Sequence, residues 1–393
     1  GRYLDALAQR RLVASETGSV DRLRALVREG EEAYFEQRWD DASLILYEVV
    51  ESPRFADFVD LEDFAGAEVL LAGALAELGS LRSAARYLQR TLQRGTEDPY
   101  FGPAYRRFVD VALESGDLSG ALVQLEASAE AESLPEDAKN ELTYLRARAA
   151  YDGGSLPAAD ELFAEITRRS RFFASAQYYR GVLAARAGDL DDAEARFRLA
   201  LEFHPGFAEP HANLGLVMLE RNRLAEAEQH LRSAIRIDPD FDEAWSNLGV
   251  VLLRRRRVDD ATRAFEEALA IDPGHRDARR NLADVWMMRG DFAQARAHLM
   301  RLIQLTEEEG TDLPVGAVIG SVDTEAERPA QADPAPAEPS ATVSEPVSTP
   351  AARVEELVPD HLDGAQRVQH VAEGLRSTAA VVLKHSSTRW PGG

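Results

Sequence analysis

Apolar positions recur along this chain in steps of three and four, a spacing that predicts helices from about residue 21 to residue 306. Residues 241–273, FDEAWSNLGVVLLRRRRVDDATRAFEEALAIDP, show the unit. Trp245, Leu248, Gly249 and Leu252 share one face of a first helix, and Ala261, Phe265, Ala268 and Leu269 share one face of a second. Gly249 leaves room for a neighbouring helix to approach. Asp259 and Asp260 open the second helix, where the helix dipole favours negative charge. Pro273 ends it, because proline lacks an amide hydrogen and clashes with the preceding turn.

The unit repeats. Steps of 34 residues connect Ala159, Ala193, Ala227, Ala261 and Ala295, and four residues after each stands Phe163, Phe197, Leu231, Phe265 or Leu299. Pro205, Pro239 and Pro273 keep the same step, as do Gly181, Gly215 and Gly249. A degenerate form extends toward the N-terminus through Gly116, Leu118, Ala121 and Leu125, then Gly79, Leu81, Ala84 and Leu88, then Gly30, Trp39, Ala42 and Leu46. Inserts such as SPRFADFVDLED and AESLPEDAK stretch the spacing there and are expected in loops. The division that results is an N-terminal cap helix in residues 1–20, about eight repeats over 21–306, an acidic Pro/Ala-rich linker over 307–353 and a tail over 354–393.

Trp245, Leu248, Gly249, Ala261, Phe265, Ala268 and Pro273 resemble the tetratricopeptide repeat pattern, and the likeness covers roughly three quarters of the chain. It departs at Arg256, which stands where a turn glycine is usual, at Leu302, which replaces the second-helix alanine, and in the missing last proline. The resemblance implies an all-α, right-handed superhelical solenoid of helix-turn-helix repeats. Its first helices would line a concave groove for peptide or helical segments, with Tyr178, Val182, Leu216, Leu219, Val250, Leu253, Arg254, Arg280 and Met287 on the groove side.

One subclass of the family grips C-terminal carboxylates with Lys and Asn at fixed first-helix positions. Those positions here hold Tyr178 and Val182, Ala212 and Leu216, Ser246 and Val250, and Arg280 and Asp284, so that clamp is missing. Asn213, Asn247 and Asn281 instead recur at 34 residues, similar to the asparagine ladder of glycosyltransferase-linked arrays, where amides pair with a peptide backbone. The plainer reading is that each asparagine bonds within its own helix pair. The candidate groove residues are therefore Tyr178, Val182, Asn213, Leu216, Asn247, Val250, Arg254, Arg280, Asn281 and Asp284. The run RRRR at 254–257 has two readings: cations suited to a helix C-terminus near Asp259 and Asp260, or a docking point for an acidic segment, the chain's own included.

Composition narrows the function. A net charge of −23 argues against nucleic acid and anionic lipid as principal partners. Lys139 and Lys384 are the only lysines and there is no cysteine, which excludes disulfides, thiol catalysis and cysteine-based zinc sites. The Asp238, Asp240 and Asp242 triplet imitates a calcium loop but has Glu243 where the loop needs glycine. No phosphate loop, nucleophile elbow or dinucleotide motif occurs, so neither a catalytic nor a metal or cofactor site is expected, and no apolar run reaches the ~20 residues of a membrane span.

Residues 307–360 hold thirteen acidic residues against Arg328 and Arg353, and beyond them Leu362, Ala365, Val368, Val371, Leu375, Ala379 and Val382 predict an amphipathic helix. The expected function is a non-enzymatic protein–protein interaction scaffold, an assembly factor for a multi-protein machine. The alternatives are a substrate-recruiting module of a protein-modifying enzyme such as a glycosyltransferase, or a cytoplasmic regulator. Because the chain starts at Gly1, a removed N-terminal signal or lipid anchor is one reading, and the compartment reading leans to a bacterial periplasm or cell envelope.

Overall fold

The computed structural model describes residues 20–59, 61, 64, 66–128 and 134–308. The expected cap helix over residues 2–15, the linker beyond Glu308 and the amphipathic tail helix lie outside these residues. Among the described residues there are sixteen α-helices, one 3-10 turn and no strand. They are α1 Val20–Phe35, α2 Trp39–Val50, α3 Ala67–Glu77, α4 Leu81–Leu92, α5 Phe101–Ser115, α6 Leu118–Ser128, α7 Glu136–Asp152, α8 Leu156–Glu165 and α9 Phe173–Arg186. There follow α10 Leu190–Phe203, α11 Ala208–Glu220, α12 Leu224–Ile237, α13 Asp242–Arg254, α14 Val258–Ile271, α15 Arg276–Met288 and α16 Phe292–Glu308. The chain divides after Leu183 into two compact units.

In the first unit each helix packs on the next from α1 through α8, and the odd helices α1, α3, α5 and α7 also touch in succession. In the second, α10 through α16 pack in the same way, with first helices α11, α13 and α15 in succession. Each unit is thus a stretch of α-solenoid. The SPRFADFVDLED insert falls between the second helix of one pair and the first of the next, with a 3-10 turn at Phe55–Asp57 and Phe55 and Phe64 buried.

The repeat letters carry a steric reason. The repeat alanines Ala42, Ala84, Ala121, Ala159, Ala193, Ala227, Ala261 and Ala295 are all buried, and so are the large residues four positions on. Sixteen residues before seven of these eight large residues the first helix carries Gly or Ala, and the third pair has Val109 there. A Cβ added to Gly30 would lie 2.6 Å from Leu46, one added to Gly215 2.6 Å from Leu231, and one on Gly249 would run into the Phe265 ring. Ala72, Ala147 and Ala283 fill the same position, fully buried, in the second, fourth and eighth pairs. Small against large closes the two helices of a pair at short distance, and each buried Phe or Leu contributes roughly 1.5–3 kcal/mol.

The turn inside each pair is equally regular. Five residues before the repeat alanine, Gln37, Gly79, Gly116, Gly154, Gly188, Asn222, Arg256 and Gly290 all take positive φ. In most pairs the next amide donates to the carbonyl five residues back, as in Arg223 to Met218 at 2.7 Å and Arg257 to Leu252 at 2.9 Å. Arg256, at φ 61, therefore does the work of the usual glycine, and Leu302 is taken into a small core with Ala283 and Leu299. Between pairs, the C-cap amides of His204, Asp238 and Asp272 donate to Ala200, Ala234 and Ala268, and the prolines follow directly.

Candidate protein-binding site

Of the ten candidate groove residues, Tyr178 and Val182 stand on α9 in the first unit, and the other eight stand on α11, α13 and α15 of the second. In the second unit the neighbouring first helices bring Asn213, Asn247 and Asn281 into one column. All three are buried, as are Leu216 and Val250, whereas Arg254 and Asp284 are half-buried and Arg280 is exposed. Tyr178 and Val182 are buried too.

The asparagines are not fully satisfied. Asn213 donates its side-chain NH2 to the Glu209 carbonyl one turn back, at 3.0 Å, which is the plainer of the two expected roles. Its carboxamide oxygen, like that of Asn281, is buried with no hydrogen-bond partner among the described groups. Buried acceptors are paired in the great majority of cases, so these two oxygens stand out, and each would have to turn outward to meet an external N–H. Arg254 ties α13 to the end of α11 by donating to the Leu219 carbonyl at 3.3 Å, and Arg280 pairs with Asp277 at 2.5 Å.

Two carboxyl groups of these first helices are moved toward neutrality. Burial raises Glu209 to about 7 against the opposing pull of its own backbone hydrogen bond, and Asp238 adds to the rise. Burial raises Asp284 to about 6, with Arg280 pulling the other way. Near neutral pH each can donate or accept.

A second constellation lies on the second helices, and its 34-residue signal was present in the sequence at Glu194 and Glu228, Arg198 and Arg232, Arg221 and Arg255, and Arg223 and Arg257. Glu194 is buried and receives Arg198 at 2.6 Å, Arg221 at 2.8 Å and Arg223 at 3.5 Å. Glu228, also buried, receives Arg232, Arg255 and, at 2.8 Å, Arg257. The run RRRR thereby resolves into separate tasks. Arg255 and Arg257 anchor the preceding pair through Glu228, Arg256 makes the turn, and Arg254 caps α11. The next pair has Thr262 in place of the glutamate, and there Arg289 pairs with Asp259.

The Asp238, Asp240 and Asp242 triplet is a turn, with the Asp240 amide donating to the Asp238 carboxylate at 3.0 Å. Among the described residues no group of three His, Cys, Asp or Glu is placed to hold a metal, and no helix is long and apolar enough to cross a membrane.

Family models described as tetratricopeptide repeat match residues 144–208 and 213–275, and residues 252–309. These are tetratricopeptide repeats. An array of this kind is a protein-interaction scaffold, a fold type that generally works without catalysis. No curated protein matches the array by sequence. Solved structures similar to it include a crystal structure of MamA, 18% identical over 42% of this chain and 96% of that one, with a TM-score of 0.37. MamA 41-end from Desulfovibrio magneticus RS-1 is 20% identical over 44% and 98%, with a TM-score of 0.39. The APC/C hetero-tetramer Cut9–Hcn1 is 15% identical over 72% of this chain and 53% of that one, with a TM-score of 0.49. None of these likenesses bears on the tetratricopeptide array's partner, and the expected cell-envelope setting gains no support from them.

Proposed function

We propose that the array binds an extended polypeptide segment along α11, α13 and α15 and so holds a partner within a multi-protein assembly. The observation that supports this reading is the asparagine column with its unpaired carboxamide oxygens at Asn213 and Asn281. An extended peptide presents N–H groups to such acceptors whatever its side chains, once the buried carboxamides rotate toward it, while Leu216 and Val250 supply the apolar contact and Arg254 and Arg280 the charged rim. Each side chain-to-backbone bond contributes about 0.5–1.5 kcal/mol, so three together amount to tenfold or more in affinity.

Peptides selected from a random display library on the full chain provide the test. Replacing Asn213, Asn247 and Asn281 by Ala should weaken the selected peptides at least tenfold and leave the far-ultraviolet helical signal unchanged. Peptides that bind the triple variant as tightly as the parent chain refute the reading.

A further inference from the structure

An open cleft of ≈ 530 Å³ lies on the second helices, and none of the ten groove candidates lines it. Arg232 and Arg236 enter it from α12, one helical turn apart, and Arg255 and Arg257 from the turn between α13 and α14. Glu228 is the one carboxylate in the lining, and Asp260 behind it also pairs with Arg257 at 2.6 Å, so four guanidinium groups against these two leave a local charge of +2 on a chain of net −23. Glu228 is already shared among Arg232, Arg255 and Arg257, and among the described residues Arg236 donates to the Ser233 hydroxyl, at 2.9 Å, and has no carboxylate partner. Arginine forks of this kind match carboxylates two hydrogen bonds at a time.

We propose that this cleft binds the acidic stretch of the same chain that follows α16, residues 321–338, led by Asp323, Glu325 and Glu327. Three observations favour this occupant. The sequence 307–360 concentrates thirteen acidic residues against two arginines, the most acidic stretch that follows the helical array. It is joined to α16 of the same compact unit, and attachment raises the effective concentration to the millimolar range, whereas an acidic partner from solution meets the repulsion of the chain's −23. The spacing also agrees. Carboxylates on alternate residues of an extended segment lie about 6.6 Å apart, close to the roughly 6 Å rise between Arg232 and Arg236 on their helix.

The test uses the full chain with Asp323→Asn, Glu325→Gln, Glu327→Gln, Asp333→Asn and Glu338→Gln as receptor. The probe is a fluorescein-labelled peptide of residues 321–338 read by anisotropy. The peptide should bind this neutralised chain at low salt, at least tenfold less to the unmodified chain, whose own segment competes, and should be released as salt rises. Adding Arg232→Gln and Arg236→Gln to the neutralised chain should weaken it at least tenfold, while Arg256→Gln, outside the cleft, should not. Failure to bind, or binding indifferent to the two arginines, refutes the cleft. Equal binding to the unmodified chain refutes occupancy by the chain's own segment.

Discussion

At Arg256 the backbone asks for a residue that arginine is not. A φ of 61 places the Cβ against the following carbonyl, a conformation that costs an L-residue about 1–2 kcal/mol and glycine almost nothing. Glycine loses more freedom on folding, which returns part of the gain. Arg256→Gly should therefore raise unfolding stability by about 0.5–1 kcal/mol in urea denaturation. Asn222→Gly should gain less, because asparagine tolerates φ 58 through its short polar side chain. An unchanged midpoint for Arg256→Gly would show that the turn is relaxed elsewhere. The departure itself was legible in the sequence, since every fifth position before a repeat alanine could be aligned. Its conformation was not, because arginine's own preference points away from it.

Between the elements α11 and α12, His211 and His230 approach to 3.1 Å between their Nδ1 atoms, so one ring donates and the other can accept only while it is neutral, and the pair cannot carry two charges in contact. Burial, then the charge of His230 and Arg236, lowers His211 to about 4. Burial and Arg198 lower His230, with Arg223 in the same sense and Glu226 and Glu194 opposing. In the unfolded chain both titrate near the ordinary 6.5. The unfolded state therefore binds more protons below that value, and stability is full above about pH 6.5 and falls as pH drops toward 4. Glu209 runs the opposite way. With its folded value raised to about 7, it contributes stability below the ordinary carboxyl value that is lost as pH rises through 7. The histidine part is isolated by His211→Trp, which installs the residue found one repeat later at Trp245. From pH 7.5 to 5 that variant should lose less stability than the parent chain in urea titrations, and parallel losses would refute the coupling. Neither histidine stands out in the sequence, because they are nineteen residues apart and meet only when two helices close.

At the scale of the whole molecule each helix pair touches chiefly its neighbours, so stability is a sum of local pair energies and the interfaces between them. Phe265→Ala removes a fully buried ring and should cost about 3–5 kcal/mol. Hydrogen exchange should show protection lost first in α13 and α14, next in α12 and α15, and least in α10; uniform loss across residues 184–308 would mean one cooperative block. The helical units, their number and their turns were readable from the chain because the contacts that build a pair lie four to sixteen residues apart. Such contacts leave a periodic trace in residue size. The charged residues recur at 34 residues as well, but that spacing does not tell their fate, since Glu228 looks like any solvated glutamate until the next pair stacks on it and brings Arg255 and Arg257. Size and spacing determined the repeat. Only the stacking of one pair on the next decided which carboxylates are buried, which arginines are spent on them, and which asparagine oxygens remain free, because those outcomes depend on groups from separate units meeting in space.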